Sequence, residues 1–210
     1  LYIVFSIITL VKFRENLAQS FKLIFQAAFT SKALAGGALG YGIKKAIRYG
    51  VARGLFSNEA GMGSTPHAHA TANVAHPVEQ GLTAMVGVFI DTIVICSATV
   101  LMILVTDSMS SGLDGALLTQ KAFEIGFGSF GKILLAISLT FFAFTTIIGW
   151  YYFGESNVKF LFGDKGLAPY RILVMIFLIV GSFQKIELVW NMSDLFNSLM
   201  VLPNVIALFL

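Results

Sequence analysis

Apolar residues run in long blocks along this chain, separated by short polar or glycine-rich interruptions, and no stretch alternates with the two-residue period of a strand. Leu1 to Val11 reads as apolar helix, closed by Lys12, Phe13, Arg14, Glu15 and Asn16. Leu17 to Phe29 sets Leu17, Phe21, Leu23, Ile24, Ala27 and Ala28 among Gln19, Lys22 and Gln26, an amphipathic pattern too short to span and suited to a bilayer interface. Ser31 to Phe56 is a second helical stretch, with Gly36/Gly40 and Gly50/Gly54 spacings that permit close helix packing. After an interruption, Ser64 to Ala75 reads as a short half-helix ending at His76-Pro77. Leu82 to Thr106 is the clearest span, about 25 residues against a hydrocarbon core of about 30 Å. Asp107 to Ser129 is a polar loop with a short helix around Leu117 to Phe123. Lys132 to Phe153, followed by a polar loop from Gly154 to Gly166, then Tyr170 to Phe183 and Leu188 to Leu210, the last bent near Pro203, complete an expected set of about five to six membrane helices.

Composition sharpens this picture. The 210 residues are 57% hydrophobic and 12% charged, with a mean hydropathy of +0.83, which places the chain among membrane proteins. The net charge of +3 is small and its basic residues are scattered, so no nucleic-acid partner is expected. One cysteine, Cys96, excludes an internal disulfide. Apolar helix at both residue 1 and residue 210 suggests one transmembrane domain cut from a longer protein. Basic residues before the interruption, in the Asp107 to Ser129 loop and at Lys185 favour that side as cytoplasmic.

The interruption, from Val51 to Ala72, carries the chemistry. Gly61 and Gly63 are poor helix formers, and Pro66 lacks an amide proton. Irregular backbone at membrane depth is tolerated where protein buries it or it lines a cavity. The expected arrangement is two half-helices meeting at residues 57–63. Free amides and a positive dipole end would face a carboxylate, and free carbonyls an ammonium or Na⁺. A purely structural kink is the competing reading. Glu59, inside the interruption, is either a coupling carboxylate or a structural partner for Arg53 or for amides of the turn. Asp91, in the Leu82 to Thr106 span, could bind a cation, relay a proton or accept hydrogen bonds from the break. Thr145 and Thr146 offer hard oxygen ligands for Na⁺. Thr146 and Trp150 share a helix face, where Trp150 can wall an apolar pocket. Back-bonded threonines and an interfacial belt at Trp150-Tyr151-Tyr152 are the plainer alternatives. His67 and His69, two apart, lack the His-Glu-x-x-His spacing of a zincin and read as polar lining. No nucleophile–base arrangement is present, so neither an enzyme nor a cofactor is expected.

Arg53 to Ser64, Arg-Gly-Leu-Phe-Ser-Asn-Glu-Ala-Gly-Met-Gly-Ser, resembles the signature of the alanine or glycine:cation symporter family. The resemblance continues through His76-Pro-Val-Glu-Gln-Gly81, Gly87 to Thr92, Phe142 to Tyr152 and Leu188-Val-Trp-Asn191. It implies an all-α membrane protein, a polytopic helical bundle like the second half of a five-plus-five inverted-repeat transporter, with a discontinuous helix at the site. It implies that Ser57, Asn58, Gly61, Met62 and Gly63 face the substrate, Thr145 and Thr146 sit near Na⁺, and Trp150 bounds the pocket. The implied function is sodium-coupled import of alanine or glycine across the plasma membrane. Proton coupling through Glu59 or Asp91, an ion channel, and a membrane-bound enzyme using His67, His69 and Glu59 are the alternatives. The resemblance also implies that the Asp107 to Ser129 loop is an extracellular lid, against the charge count, and on orientation the resemblance is followed.

Overall fold

The computed structural model describes residues 1–29 and 37–210, and the side chains of all of these but 27–29 and 37–46. It is helical throughout, with no strand among the described residues. In order the helices are α1 (Tyr2–Lys12), α2 (Leu17–Phe29), α3 (Gly37–Asn58), α4 (Pro66–His69), α5 (Pro77–Phe89), α6 (Ser97–Val105), α7 (Gly115–Phe127), α8 (Ser129–Phe162), α9 (Leu167–Ser182) and α10 (Ile186–Phe209). A π-helical stretch, Ile90–Cys96, joins α5 to α6 without interruption. The start of the expected Ser31 to Phe56 stretch, with Gly36, lies outside the described residues. Gly50 and Gly54 have open space where a Cβ would sit, so no described neighbour uses the close approach they permit.

Among the described residues, three runs are long and apolar enough to cross a membrane: Pro77–Val105, Ser129–Ser182 and Ile186–Phe209. The second contains two helices. The Tyr170 hydroxyl donates to the Tyr151 carbonyl at 3.0 Å, although nineteen residues of straight helix would hold them about 28 Å apart. The chain therefore reverses at residues 163–166, where a 3-10 turn begins at Gly163 with a φ of +64°. The count falls short of five to six for two reasons. With 11 residues, α1 is too short, and α3 carries Lys44, Lys45, Arg48 and Arg53. Beyond Phe153, where polar residues suggested a loop, α8 continues for nine residues to Phe162. Arg171 explains part of this: it donates to Glu155 at 2.9 Å and to the Tyr151 hydroxyl at 3.0 Å, partnering polar groups that helix would otherwise leave bare.

Backbone contacts divide the chain into two compact units, residues 1–50 with 89–143 and residues 51–88 with 144–210. The first unit has a packed centre of Tyr2, Met102, Ala122, Phe123, Leu134 and Leu135. Phe123 is fully buried, its ring 5.4 Å from that of Tyr2, and Phe127 meets Phe5 edge-on at 5.2 Å. The Tyr2 hydroxyl, which burial would otherwise strand, bonds the Thr99 hydroxyl at 2.6 Å. The segment expected to be a polar loop thus contributes a 13-residue helix, α7, to this centre. Lys12 Nζ donates to the Gly126 carbonyl at 2.7 Å, capping its last turn.

The far side of α7 is held by charge. Glu124 accepts from Lys132 at 2.9 Å and from Lys121 at 3.3 Å. The Lys132 hydrogen bond, aided by Lys121, keeps its carboxyl below the usual carboxylate range. A depressed pKa means that stabilisation is complete above the unfolded value and is lost as pH falls through the folded one. Residues 107–128 are expected to become protease-sensitive below about pH 4. Glu124→Gln is expected to remove that pH dependence; limited proteolysis of the pair across pH 3 to 7 checks it.

Candidate functional site

The second unit contains the interruption. Helix α3 persists through Ser57 and Asn58, so the break opens at Glu59, two residues later than expected. Three of its five residues between 59 and 63 have left-handed backbone: Glu59 at φ +54°, Gly61 at +77° and Gly63 at +88°. Two glycines meet this demand without a Cβ penalty, whereas Glu59 bears it, a strain of about 1 to 2 kcal/mol. Such a cost persists only where surrounding contacts over-determine the conformation.

Those contacts are local and short. Asn58 Oδ1 accepts from the Ala60 amide at 2.9 Å, which ends α3 as an Asx turn. The Met62 amide donates to the Glu59 carbonyl at 3.2 Å. The Ser64 hydroxyl, 2% exposed, donates to Glu59 Oε2 at 2.7 Å and closes the turn. His67 Nδ1 lies 3.0 Å from the Ser64 carbonyl; a carbonyl only accepts, so that nitrogen carries a proton. The amides of Gly61, Gly63, Ser64 and Thr65 have no protein acceptor among the described residues.

Two expectations need correction. The half-helix expected over Ser64 to Ala75 is a single turn, Pro66–His69. Thr71 and Ala72 bond three residues back rather than four, and the Thr71 hydroxyl reaches the Ala68 carbonyl and the Tyr152 hydroxyl, at 2.8 and 3.1 Å. A one-turn helix has little macrodipole, so the dipole argument for carboxylate binding falls away and the free amides alone support it. The second correction concerns Glu59. Arg53 is not its partner. Arg53 instead forms a two-pronged pair with Asp194 of α10, at 2.9 and 3.3 Å. Its guanidinium also stacks on Trp190, 4.0 Å from the ring centroid, and Phe56 meets that ring at 5.3 Å.

Met62 is 4% exposed, whereas Ser57 and Gly61 are exposed. On α8, Thr146 and Trp150 share one face as the spacing predicts. With Ile147, Tyr151 and residues of α9 they line an apolar groove of about 340 Å³. Thr145 is not among its walls, and no residue of the break is. Asp91 and Thr92, in the first unit, lie half-buried in the π-helical stretch, a distortion frequent at functional positions. His69 Nδ1 lies 2.6 Å from Gln80 Nε2, tying α4 to α5.

Sequence reasoning gave α10 no role, yet α10 touches the break. Asn204 Nδ2 donates to the Gly61 carbonyl at 2.9 Å. The signal was polar residues, Asn191, Asp194, Asn197 and Asn204 among them, inside a helix apolar enough to cross a membrane, where each is costly unless partnered.

The described residues form a polytopic helical membrane protein with a glycine-rich break between α3 and α4. Within that class the chain belongs to the sodium:alanine symporter family, which it matches over residues 1–210. It is 45% identical over its full length to the probable sodium/glutamine symporter GlnT of Bacillus subtilis, of which it covers 42%. It is 38% identical over its full length to the sodium/alanine symporter AgcS of Methanococcus maripaludis, covering 46%. It is 43% identical, over 81% of its length, to the amino-acid carrier protein AlsT of Bacillus subtilis, covering 37%. The chain thus spans less than half the length of these relatives.

Proposed function

We infer that the protein is a sodium-coupled symporter that imports small neutral amino acids, alanine or glycine, across the plasma membrane. The observation that carries this reading is the break itself: left-handed backbone at Glu59, Gly61 and Gly63, with amides at Gly61, Gly63, Ser64 and Thr65 that have no acceptor among the described residues. Family membership and relatives named for sodium with alanine or glutamine support it. Na⁺ stabilises an outward-facing state, the amino acid enters at the break, and the helices rock to open the other side. Ser57, Asn58, Gly61, Met62 and Gly63 face the substrate, its carboxylate on the free amides. Met62 and Trp150 restrict its side chain to about a methyl group. Each Na⁺ moving inward gains about 2.3 kcal/mol per 100 mV of potential. Uptake of labelled alanine by the reconstituted full-length protein, with and without a sodium gradient, tests the reading; uptake indifferent to sodium rejects it.

Thr145 and Thr146 are assigned to Na⁺. Thr145→Ala and Thr146→Ala are each expected to raise the half-saturating sodium concentration about tenfold, the effect of losing roughly 1.4 kcal/mol. Sodium titration of alanine uptake measures this, and an unaltered titration removes that hydroxyl from the ion shell. One observation favours a second reading, proton coupling: the Glu59 carboxylate lies within the break, bonded to Ser64. Uptake driven by a pH gradient without sodium, and abolished in Glu59→Gln, would select it.

A further inference from the structure

The anchors of the break described above close it on itself over five residues or fewer. Asn204 differs, since it reaches Gly61 across 143 positions of sequence. Because the Gly61 carbonyl can only accept, the Asn204 amide nitrogen must face it, and this fixes the orientation of the whole side chain. The same side chain lies against Gly63. A Cβ on Gly63 would stand 2.8 Å from Asn204 Cβ and 3.0 Å from its Cγ. Two left-handed glycines, one residue apart, are thus fitted to one side chain, the first by hydrogen bond and the second by contact. Between them they define where the chain points as it leaves the turn towards Ser64 and Thr65. Pro203, immediately before Asn204, has no amide proton, so α10 lacks one backbone bond where it meets the break.

We propose that Asn204 is the positioning residue of the break. It holds the Gly61 carbonyl and seats Gly63, and so directs the unengaged amides of Gly63, Ser64 and Thr65 toward a bound amino acid's carboxylate. Its effect on affinity rests on the transport reading, whereas its effect on the conformation of the break does not.

The test uses the full-length protein with Asn204→Ala and Asn204→Asp. Aspartate keeps the size of asparagine, but its carboxylate cannot donate to Gly61. Amide hydrogen exchange of the peptide covering residues 57–66, followed by mass spectrometry, is expected to accelerate in both variants while distant peptides stay unchanged. In proteoliposomes both are expected to raise the KM for alanine about threefold to tenfold, the range set by one hydrogen bond, with kcat within about twofold of the parent. Asn204→Ser, which keeps a donor on a shorter arm, is expected to recover part of the affinity. Exchange in Asn204→Asp equal to that of the parent overturns the proposal, as does a loss confined to kcat. If the parent itself moves no alanine under a sodium gradient, the transport reading falls, and hydrogen exchange still decides whether Asn204 positions the break.

Discussion

Gly63→Ala in the full-length protein is expected to abolish sodium-driven alanine uptake at concentrations that saturate the parent. Two costs coincide at this residue. Its φ of +88° lies where an L side chain is strained, by about 1 to 2 kcal/mol. The added methyl would also stand 2.8 Å from Asn204 Cβ, an atom fixed to the α10 backbone rather than the far end of a flexible side chain. Relief requires the break or α10 to shift, at about a further 1 to 3 kcal/mol. Gly61→Ala separates the two costs. Its φ of +77° is strained too, but nothing lies within 4 Å of the new methyl, so only the torsional cost applies. Gly61→Ala should therefore retain measurable uptake, reduced by about tenfold, where Gly63→Ala retains none. Uptake kinetics normalised to the amount of protein in the membrane make the comparison. Equal activity of the two variants would show that contact with Asn204 does not constrain the turn.

Asp194→Ala is expected to lower both thermal stability and uptake, and to do so more than the double variant Arg53→Leu with Asp194→Leu. The single change leaves the Arg53 guanidinium on Trp190 with no carboxylate partner, whereas the double removes both charges together. Both side chains are more than a third exposed, 36% and 44%, so the coupling is discounted from the value of a fully buried pair to about 1 to 2 kcal/mol. Arg53→Lys should fall between parent and Asp194→Ala, because lysine keeps the charge but loses the two-pronged geometry and the planar stack. A double-mutant cycle built on unfolding midpoints in detergent measures the coupling; strict additivity would mean that the pair contributes nothing. Its effect on uptake bears on the break as well. Arg53 lies six residues before Glu59 on α3, and Asp194 ten before Asn204 on α10. The ion pair and the Asn204 hydrogen bond therefore fasten the same two segments on either side of the turn's start.

How far the sequence reached is visible at particular residues. Gly61, Gly63 and Pro66 placed the break because helix cannot easily accommodate them whatever surrounds them. Its opening at Glu59 rather than Ser57 was not legible. Asn58 can end a helix with its side chain or continue it, and the choice shows only in its bond to the Ala60 amide. The half-helix after Pro66 was overestimated because Ala68, Ala70, Ala72 and Ala75 favour helix, whereas Thr71 is drawn to Tyr152 on a distant helix. Residues 154–162 read as loop from their polarity, yet Tyr170 and Arg171 supply partners that keep them helical. In α7 the sequence placed a short helix around Leu117 to Phe123 but not its partners, and Phe123 lies in the packed centre of its unit.

By itself, then, the sequence determined that this is a helical membrane protein of recognisable family, with one break at a known place. Hydropathy, glycine and proline act over a few residues, and their consequences can be read locally. Tertiary structure alone decided the partners: Asp194 rather than Glu59 for Arg53, Asn204 for Gly61, Phe123 for Tyr2. These pairs lie more than a hundred residues apart, and no local preference distinguishes one asparagine or carboxylate in an apolar helix from another. Which one meets the break depends on how whole helices pack, because in an apolar surrounding each polar group must find a partner at hydrogen-bonding distance.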